Sequence, residues 1–265
     1  MTSDGKAAVL VERDGAIATV VLSNPGRLNA LTVSMWQELK RTLDALSAED
    51  SLRCVVLRGA GSEAFAAGAD IAEFAGERNN AKQGARYHRE YVHGALEAVG
   101  RCRHPIVAMI HGPCVGGGLE IACMCDLRIA GVSGRFGVPI SRLGFAIAYD
   151  ELAAVLPLTG RAVALEILLE GRIWEAREAL GKGLLTRVVD DAQLEEEAYA
   201  AARRIAAGAP LVNRWHKRFV RRLAPRPAPL TESEIEDNFA YFATEDYRIG
   251  MDAFANKKKP KFVGR

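Results

Sequence analysis

Short apolar strands alternate with amphipathic helical stripes through the first half of the chain, and this order constrains the fold most. Ala8-Val9-Leu10-Val11 and Ile17-Ala18-Thr19-Val20-Val21-Leu22 are strand-like, and Asp14-Gly15 between them signals a hairpin turn. After a break at Asn24-Pro25-Gly26, residues Val33, Trp36, Leu39, Leu43 and Leu46 recur at three- and four-residue spacing. That spacing predicts a helix with Thr32 as its cap. Cys54-Val55-Val56-Leu57 predicts a short apolar strand, and a Gly/Ala-rich loop runs on to Asp70. Tyr87, Tyr91, Ala95, Val99 and Cys102 form one helical stripe, closed by His104-Pro105. Ile106-Val107-Ala108-Met109-Ile110 reads as a buried strand and Gly112-Pro113 as a turn. Gly116-Gly117-Gly118 then opens a short helix through Cys125, and Leu127-Arg128-Ile129-Ala130 is another strand. Strands alternating with helices imply an α/β layered architecture.

Beyond about residue 150 the pattern is mainly helical, with one short strand at Arg187-Val188-Val189. Pro225-Arg226-Pro227-Ala228-Pro229 reads as a stiff connector, and Thr231-Glu232-Ser233-Glu234 as a capping box. A chain of 265 residues, 49% apolar and 26% charged, has ample material for one main domain with an appendage. That composition excludes collagen, low-complexity disorder and a disulfide scaffold. The formal charge of +2 provides no global field for nucleic acid, so none is expected as a partner. The N-terminus has no apolar signal region, and no run approaches the roughly 18–20 apolar residues of a membrane span. With five cysteines, an odd number, the expectation is a reduced cytoplasmic protein with no membrane partner. Cys123 and Cys125 form a C-x-C without a second pair, which favours buried free thiols and no metal site.

Three groups of residues compete to carry chemistry. Gly59-Ala60-Gly61-Ser62-Glu63-Ala64 is a literal G-x-G-x-x-A after a strand. A dinucleotide site needs a helix to begin there, and Gly68 interrupts it, so a glycine-rich turn is preferred. A histidine or serine site is disfavoured: His88 and His93 are five apart and share no α-helical face, and no G-x-S-x-G occurs. The third group joins two loops, Glu63 to Phe74 and His111 to Glu120, each leading from a strand towards a helical turn. Their small residues let a ligand approach the backbone, and N–H groups at a helix start have no internal partner. Two such groups aimed at one carbonyl oxygen make an oxyanion hole. Glu120, three residues past Gly117, can move protons beside that hole. Plain helix–strand packing with a solvated glutamate fits the same spacing.

The two loops resemble the signatures of the crotonase superfamily, the enoyl-CoA hydratase/isomerase family. The resemblance rests on Phe65-Ala66-Ala67-Gly68-Ala69-Asp70-Ile71 and on Gly116-Gly117-Gly118-Leu119-Glu120 running to Asp126. Asn24-Pro25, Leu28-Asn29-Ala30-Leu31, and Leu165-Glu166-Ile167-Leu168-Leu169 running to Gly183-Leu184-Leu185 extend it over nearly the whole chain. It implies an α/β fold, a crotonase-like spiral of β-β-α units over residues 1–195, with a helical C-terminal trimerisation region over residues 196–265. It implies a homotrimer or hexamer, an acyl-CoA substrate, and no cofactor beyond the coenzyme A that the substrate carries. It also implies a thioester carbonyl between the N–H groups of Ala69 and Gly117, with Glu120 as acid/base. Leu28, Ala67, Asp70 and Ile71 would line the coenzyme, and Phe254 and Lys257 would reach the coenzyme of a neighbouring subunit.

The chain departs from the family in one stretch, where Phe145-Ala146-Ile147-Ala148-Tyr149-Asp150 also replaces the usual glycine-rich turn. Hydratases that it resembles carry a second glutamate directly after Phe-Gly-x-Pro; here Phe136-Gly137-Val138-Pro139 is followed by Ile140, which becomes part of the substrate pocket. Eight residues on, where some relatives place an aspartate, stands Ala148. Loss of the second group is worth roughly 10²–10⁴ in rate, so weak hydration is expected. Tyr149, Asp150 or Glu151 replaces it if the loop folds inward, although Asp150-Glu151 at a helix start is also an ordinary arrangement with the helix dipole. The expected activity is hydration of 2-enoyl-CoA. The alternatives are double-bond isomerisation, decarboxylation or thioester hydrolysis on the same scaffold, or a non-catalytic acyl-CoA-binding or RNA-associated role.

Overall fold

A computed structural model describes residues 5–224, 231–237 and 239–263. The chain opens with the expected hairpin, β1 (Ala8–Asp14) and β2 (Ile17–Ser23), paired from Ala8↔Ser23 to Asp14↔Ile17. Helix α1 (Val33–Ala48) follows, its Met35 N–H donating to Thr32 Oγ1 at 3.2 Å. Its stripe of Met35, Trp36, Leu39, Leu43 and Leu46 is fully buried, each side chain contributing about 1.5–3 kcal/mol by leaving water. Strand β3 (Cys54–Gly59) lies parallel to β2. A short turn leads into α2 (Phe74–Glu77) and α3 (Ala81–Arg86), and a π-helical turn, Tyr87–Val92, joins α3 to α4 (His93–Arg101).

The next two passages each give one strand to a large sheet and the following strand to a small one. These are β4 (Ile106–Ile110) and β5 (Pro113–Val115) before α5 (Gly117–Met124), then β6 (Leu127–Gly131) and β7 (Arg135–Gly137) before α6 (Tyr149–Glu170). The remaining elements are β8 (Trp174–Glu175), α7 (Ala176–Gly181), β9 (Arg187–Val189), α8 (Asp191–Ala207), α9 (Pro210–Leu223), α10 (Glu232–Asp237) and α11 (Glu245–Ala255). The large sheet runs β1-β2-β3-β4-β6-β9 and the small one β5-β7-β8. Sequence periodicity did not reveal the small sheet, because strands of two or three residues carry no countable alternation.

The large sheet is apolar on both faces because both are covered. Val55, Leu57, Ala108 and Ile110 pack with α1, α4 and α5, while Cys54, Val56, Val107 and Met109 pack under Leu194, Ala198, Ala201 and Ala202 of α8. The division at 195/196 therefore falls inside a helix that covers this sheet. All five cysteines are buried and free, and burial pushes the thiols of Cys54, Cys123 and Cys125 up to about 12.

One expectation changes and one falls outside the described residues. Helix α6, with a mean hydropathy of 1.8, is long and apolar enough to cross a membrane by length and composition, contrary to the reading of the sequence. It is broken at Gly160 (φ 71°, ψ 171°), and Ala154, Val155, Ala164 and Ile167 are buried in the protein. Each half spans about 15–17 Å, well short of a hydrocarbon core of about 30 Å. The Pro225–Pro229 connector lies outside the described residues, whereas the capping box after it forms: Thr231 N–H donates to Glu234 Oε2 (2.8 Å) and Glu234 N–H to Thr231 Oγ1 (3.3 Å).

His104 predicts an acid sensitivity. It is fully buried, and burial, followed by the charges of Arg214 and Arg103, pushes its imidazole from 6.5 down to about 4. As pH falls the unfolded chain takes up this proton first, so the stabilisation is complete above 6.5 and is lost as pH falls towards about 4. Thermal unfolding of His104→Gln should therefore vary less with pH across this window than that of the wild type. Parallel wild-type and variant profiles would contradict the assignment.

Candidate active site

The segment from Ala64 to Asp70 threads between two neighbours. The N–H groups of Phe65 and Ala66 donate to Pro113 O (3.0 and 3.1 Å), and Val115 N–H returns a bond to Ala66 O (3.1 Å). On the other side Leu31 N–H donates to Gly68 O (2.7 Å) and Asp70 N–H to Leu31 O (2.8 Å). Gly68 (φ +97°) and Gly116 (φ +51°) adopt backbone conformations that side chains rarely tolerate. The two turns face each other: a Cβ on Gly116 would lie 3.8 Å from Gly68 Cα. The next N–H groups along each turn belong to Ala69 and Gly117, and neither has an acceptor among the described residues. Gly117 is the first residue of α5, where a helix leaves its N–H free. Tight packing also requires small residues here. A Cβ on Gly117 would approach the Trp36 indole to 2.7 Å, and one on Gly118 would approach Ala66 O to 2.4 Å.

Leu28, Ala67, Asp70 and Ile71 form the rim of this cradle. Leu28 (φ 49°) is 44% exposed, and its carbonyl accepts from Ala67 N–H at 3.0 Å. Buried Asn29 (φ 56°) ties the turn down, its amide donating to Ala60 O (3.1 Å) and Ala64 O (2.9 Å). Asp70 Oδ1 accepts from Ala72 N–H (3.0 Å) and starts the turn at Ile71. The G-x-G-x-x-A stretch is a packed turn, since a Cβ on Gly59 would lie 2.1 Å from Ala64 O.

Glu120 lies in the first turn of α5 and is buried, not solvated. Burial pushes its carboxyl well above the usual range; the negative charge of Glu151 adds to this and Arg78 opposes it. Of the three residues weighed as a second acid/base, only Glu151 is buried. Tyr149 is 39% exposed, and Asp150, also exposed, pairs with His93 Nδ1 at 3.2 Å. The Glu151 carboxylate accepts from buried His88 Nδ1. Burial alone would raise Glu151, but the charge and hydrogen bond of His88, then Arg78 and the Ala148 N–H, hold it below the usual carboxylate range.

The histidines correct the reading of their spacing. In the π-helical turn the N–H of His93 bonds to the carbonyl of His88, so residues five apart do share a face. They engage consecutive carboxylates of α6, Asp150 and Glu151.

Ile140, in the turn Pro139–Leu143, is half-buried and packs against the main core, as does Ile147. Sequence reasoning missed the aromatic and cationic wall of the site. Arg78, 7% exposed, lies 3.6 Å from the Tyr87 ring centroid and 4.4 Å from that of Phe74. Tyr247 OH donates to Arg78 O (3.1 Å), and Phe145 stacks on Tyr241 at 5.7 Å. A buried arginine in a short, aperiodic turn leaves no pattern to count. Phe254 and Lys257, at the end of α11, are exposed.

Comparison with known proteins places this geometry. Residues 12–265 match the family described as Enoyl-CoA hydratase/isomerase. A probable enoyl-CoA hydratase of Rhizobium meliloti is 36% identical over 97% of this chain and 98% of its own length. The crystal structure of an enoyl-CoA hydratase/carnithine racemase from Magnetospirillum magneticum is 48% identical, with a TM-score of 0.81, covering 100% of this chain and 97% of that one. Methylmalonyl-CoA decarboxylase complexed with 2S-carboxypropyl CoA is 28% identical with a TM-score of 0.87, and both chains are covered completely. The crotonase fold expected from the sequence is therefore the fold of this protein, and the chain belongs to the enoyl-CoA hydratase/isomerase family.

Proposed function

We propose that the protein adds water to 2-enoyl-CoA thioesters, polarising the thioester carbonyl between the N–H groups of Ala69 and Gly117 and transferring protons through Glu120. The observation that carries this reading is the pair of acceptor-free N–H groups flanking a buried carboxyl one helical turn away. Charge that develops on the thioester oxygen meets fixed donors, and burial of Glu120 favours the protonated carboxyl, which has a proton to give to carbon. The relative named as a probable enoyl-CoA hydratase and the neighbour complexed with 2S-carboxypropyl CoA support the substrate class. Leu28, Ala67, Asp70 and Ile71 would take the coenzyme along the rim, and Ile140 and Ile147 would face the acyl group. No cofactor is needed beyond the coenzyme A of the substrate. Buried free thiols suit a reducing compartment such as the cytoplasm.

Two measurements test this. Incubation with a panel of acyl-CoAs, read by mass spectrometry, should give the 3-hydroxyacyl product from crotonyl-CoA. A decarboxylated, isomerised or hydrolysed product alone would replace hydration by that reaction. Calorimetry should find acetoacetyl-CoA bound more tightly than acetoacetate, and equal affinities would contradict a coenzyme site.

The working unit in this proposal is a homotrimer or hexamer. Phe254 and Lys257 point away from the subunit's own core, as residues reaching a neighbour must. Helix α9 turns Arg214, Lys217 and Arg221 inward onto backbone carbonyls of Leu52, His104 and Gly100, leaving Leu211, Trp215, Phe219 and Leu223 exposed on its other side. This apolar stripe lies before the connector and inside the helical region of residues 196–265. Light scattering should find the wild type oligomeric and Phe219→Ser/Leu223→Ser dissociated; a monomeric wild type would refute the assembly.

A further inference from the structure

We propose that Glu151, oriented by His88, is the second carboxylate of the reaction, replacing the family glutamate whose place Ile140 occupies; this rests on the hydratase reading above. The two carboxyl groups come from the first turns of α5 and α6, helices that contact each other, and both are buried; the charge of Glu151 acts on Glu120. Arg78, also buried, acts on both. A carboxylate serving only to cap α6 needs no burial and no imidazole partner. Glu151 has both, and the imidazole is delivered by a π-helical turn, a local widening frequent at functional sites. The π turn places adjacent residues inward, Tyr87 to hold the Trp36 indole N–H (2.8 Å) and His88 to hold Glu151.

The environments of the pair are pushed in opposite directions, which separates the roles of acid and base. Glu151 takes a proton from water as the water oxygen bonds to the β-carbon. The electron pair of the double bond shifts through the α-carbon onto the thioester oxygen, where the N–H groups of Ala69 and Gly117 receive the charge. Glu120 gives its proton to the α-carbon and the carbonyl re-forms. One water has been added, Glu151 has gained a proton and Glu120 has lost one. Exchange with solvent after product release restores both. His88 is a positioning residue, fixing which carboxylate oxygen faces the water.

Two readouts on the full-length protein separate this assignment from the hydratase reading itself. Hydration of crotonyl-CoA needs both carboxylates. Exchange of the α-protons of butyryl-CoA into deuterated water needs only Glu120 and the oxyanion hole. Glu151→Gln should lose about 10²–10⁴ in hydration while exchange stays within about tenfold of wild type, and Glu120→Gln should lose both. Retained exchange also certifies a folded, ligand-binding variant; if Glu151→Gln fails to fold, Glu151→Asp should fold and hydrate with a lower kcat at little-changed KM. His88→Leu should lower kcat more than KM, with His88→Asn recovering part of the loss because its amide can donate where Nδ1 does. Equal hydration by wild type and the Glu151 variants would overturn the assignment alone. A wild type that exchanges α-protons and never hydrates would overturn the hydratase reading and the assignment together.

Discussion

Glu120→Gln lowers hydration of crotonyl-CoA by about 10²–10⁴ while leaving the fold intact, because the amide keeps the shape of the carboxyl and cannot exchange its proton. The same substitution should raise stability at neutral and alkaline pH. Burial, with Glu151 next, holds the folded carboxyl well above its ordinary 4.5, so the folded protein retains a proton that the unfolded chain releases. As pH rises past 4.5 the unfolded state is favoured progressively, up to the raised folded value. Gln carries no such penalty. The melting temperature of the variant should exceed that of wild type at about pH 8 and converge with it near pH 4–5. A variant less stable at high pH, or one with wild-type turnover, would remove Glu120 from the proton-transfer role.

Ala69→Pro is expected to cut turnover by about 10²–10³ with little effect on stability. The bridge between this segment and Leu31 uses Gly68 O and Asp70 N–H, so the N–H of Ala69 points away from it. Proline removes that one donor and no hydrogen bond of the folded chain. The cost should appear in kcat more than in acyl-CoA affinity, since the donor acts most strongly on charge that develops during reaction. Gly118→Ala serves as the contrast. Its methyl group would lie 2.4 Å from Ala66 O, forcing the two loops apart, so both stability and turnover should fall. Undiminished turnover in a folded Ala69→Pro protein would mean that the oxyanion is held elsewhere.

Local pattern carried much of this protein. The stripe from Met35 to Leu46 and its Thr32 cap form as expected, and so do the hairpin at Asp14-Gly15 and the capping box at Thr231. These depend on neighbours a few residues apart, whose spacing maps directly onto a helix face or a strand pair. The two glycine loops were equally legible, because a positive φ and a close backbone approach leave few residues other than glycine at Gly68 and Gly116. The resemblance to the family, carried onto these loops residue by residue, singled out the N–H groups of Ala69 and Gly117, and spacing put Glu120 one turn further on.

The partner of Glu120 was not legible. Tyr149, Asp150 and Glu151 stand side by side, and spacing alone gave no reason to choose among them. The choice depended on His88, 63 residues away, and on Arg78, which Tyr247 holds from 169 residues away. It depended also on a π-helical turn that an α-helical count of His88 and His93 excludes. The small sheet and the inward basic face of α9 escaped for the same reason. Sequence periodicity reports what each segment does against its own neighbours. Which carboxylate is buried beside another is decided by packing between segments distant in the chain, where the cost of burying a charge is met only by partners that the folded structure assembles.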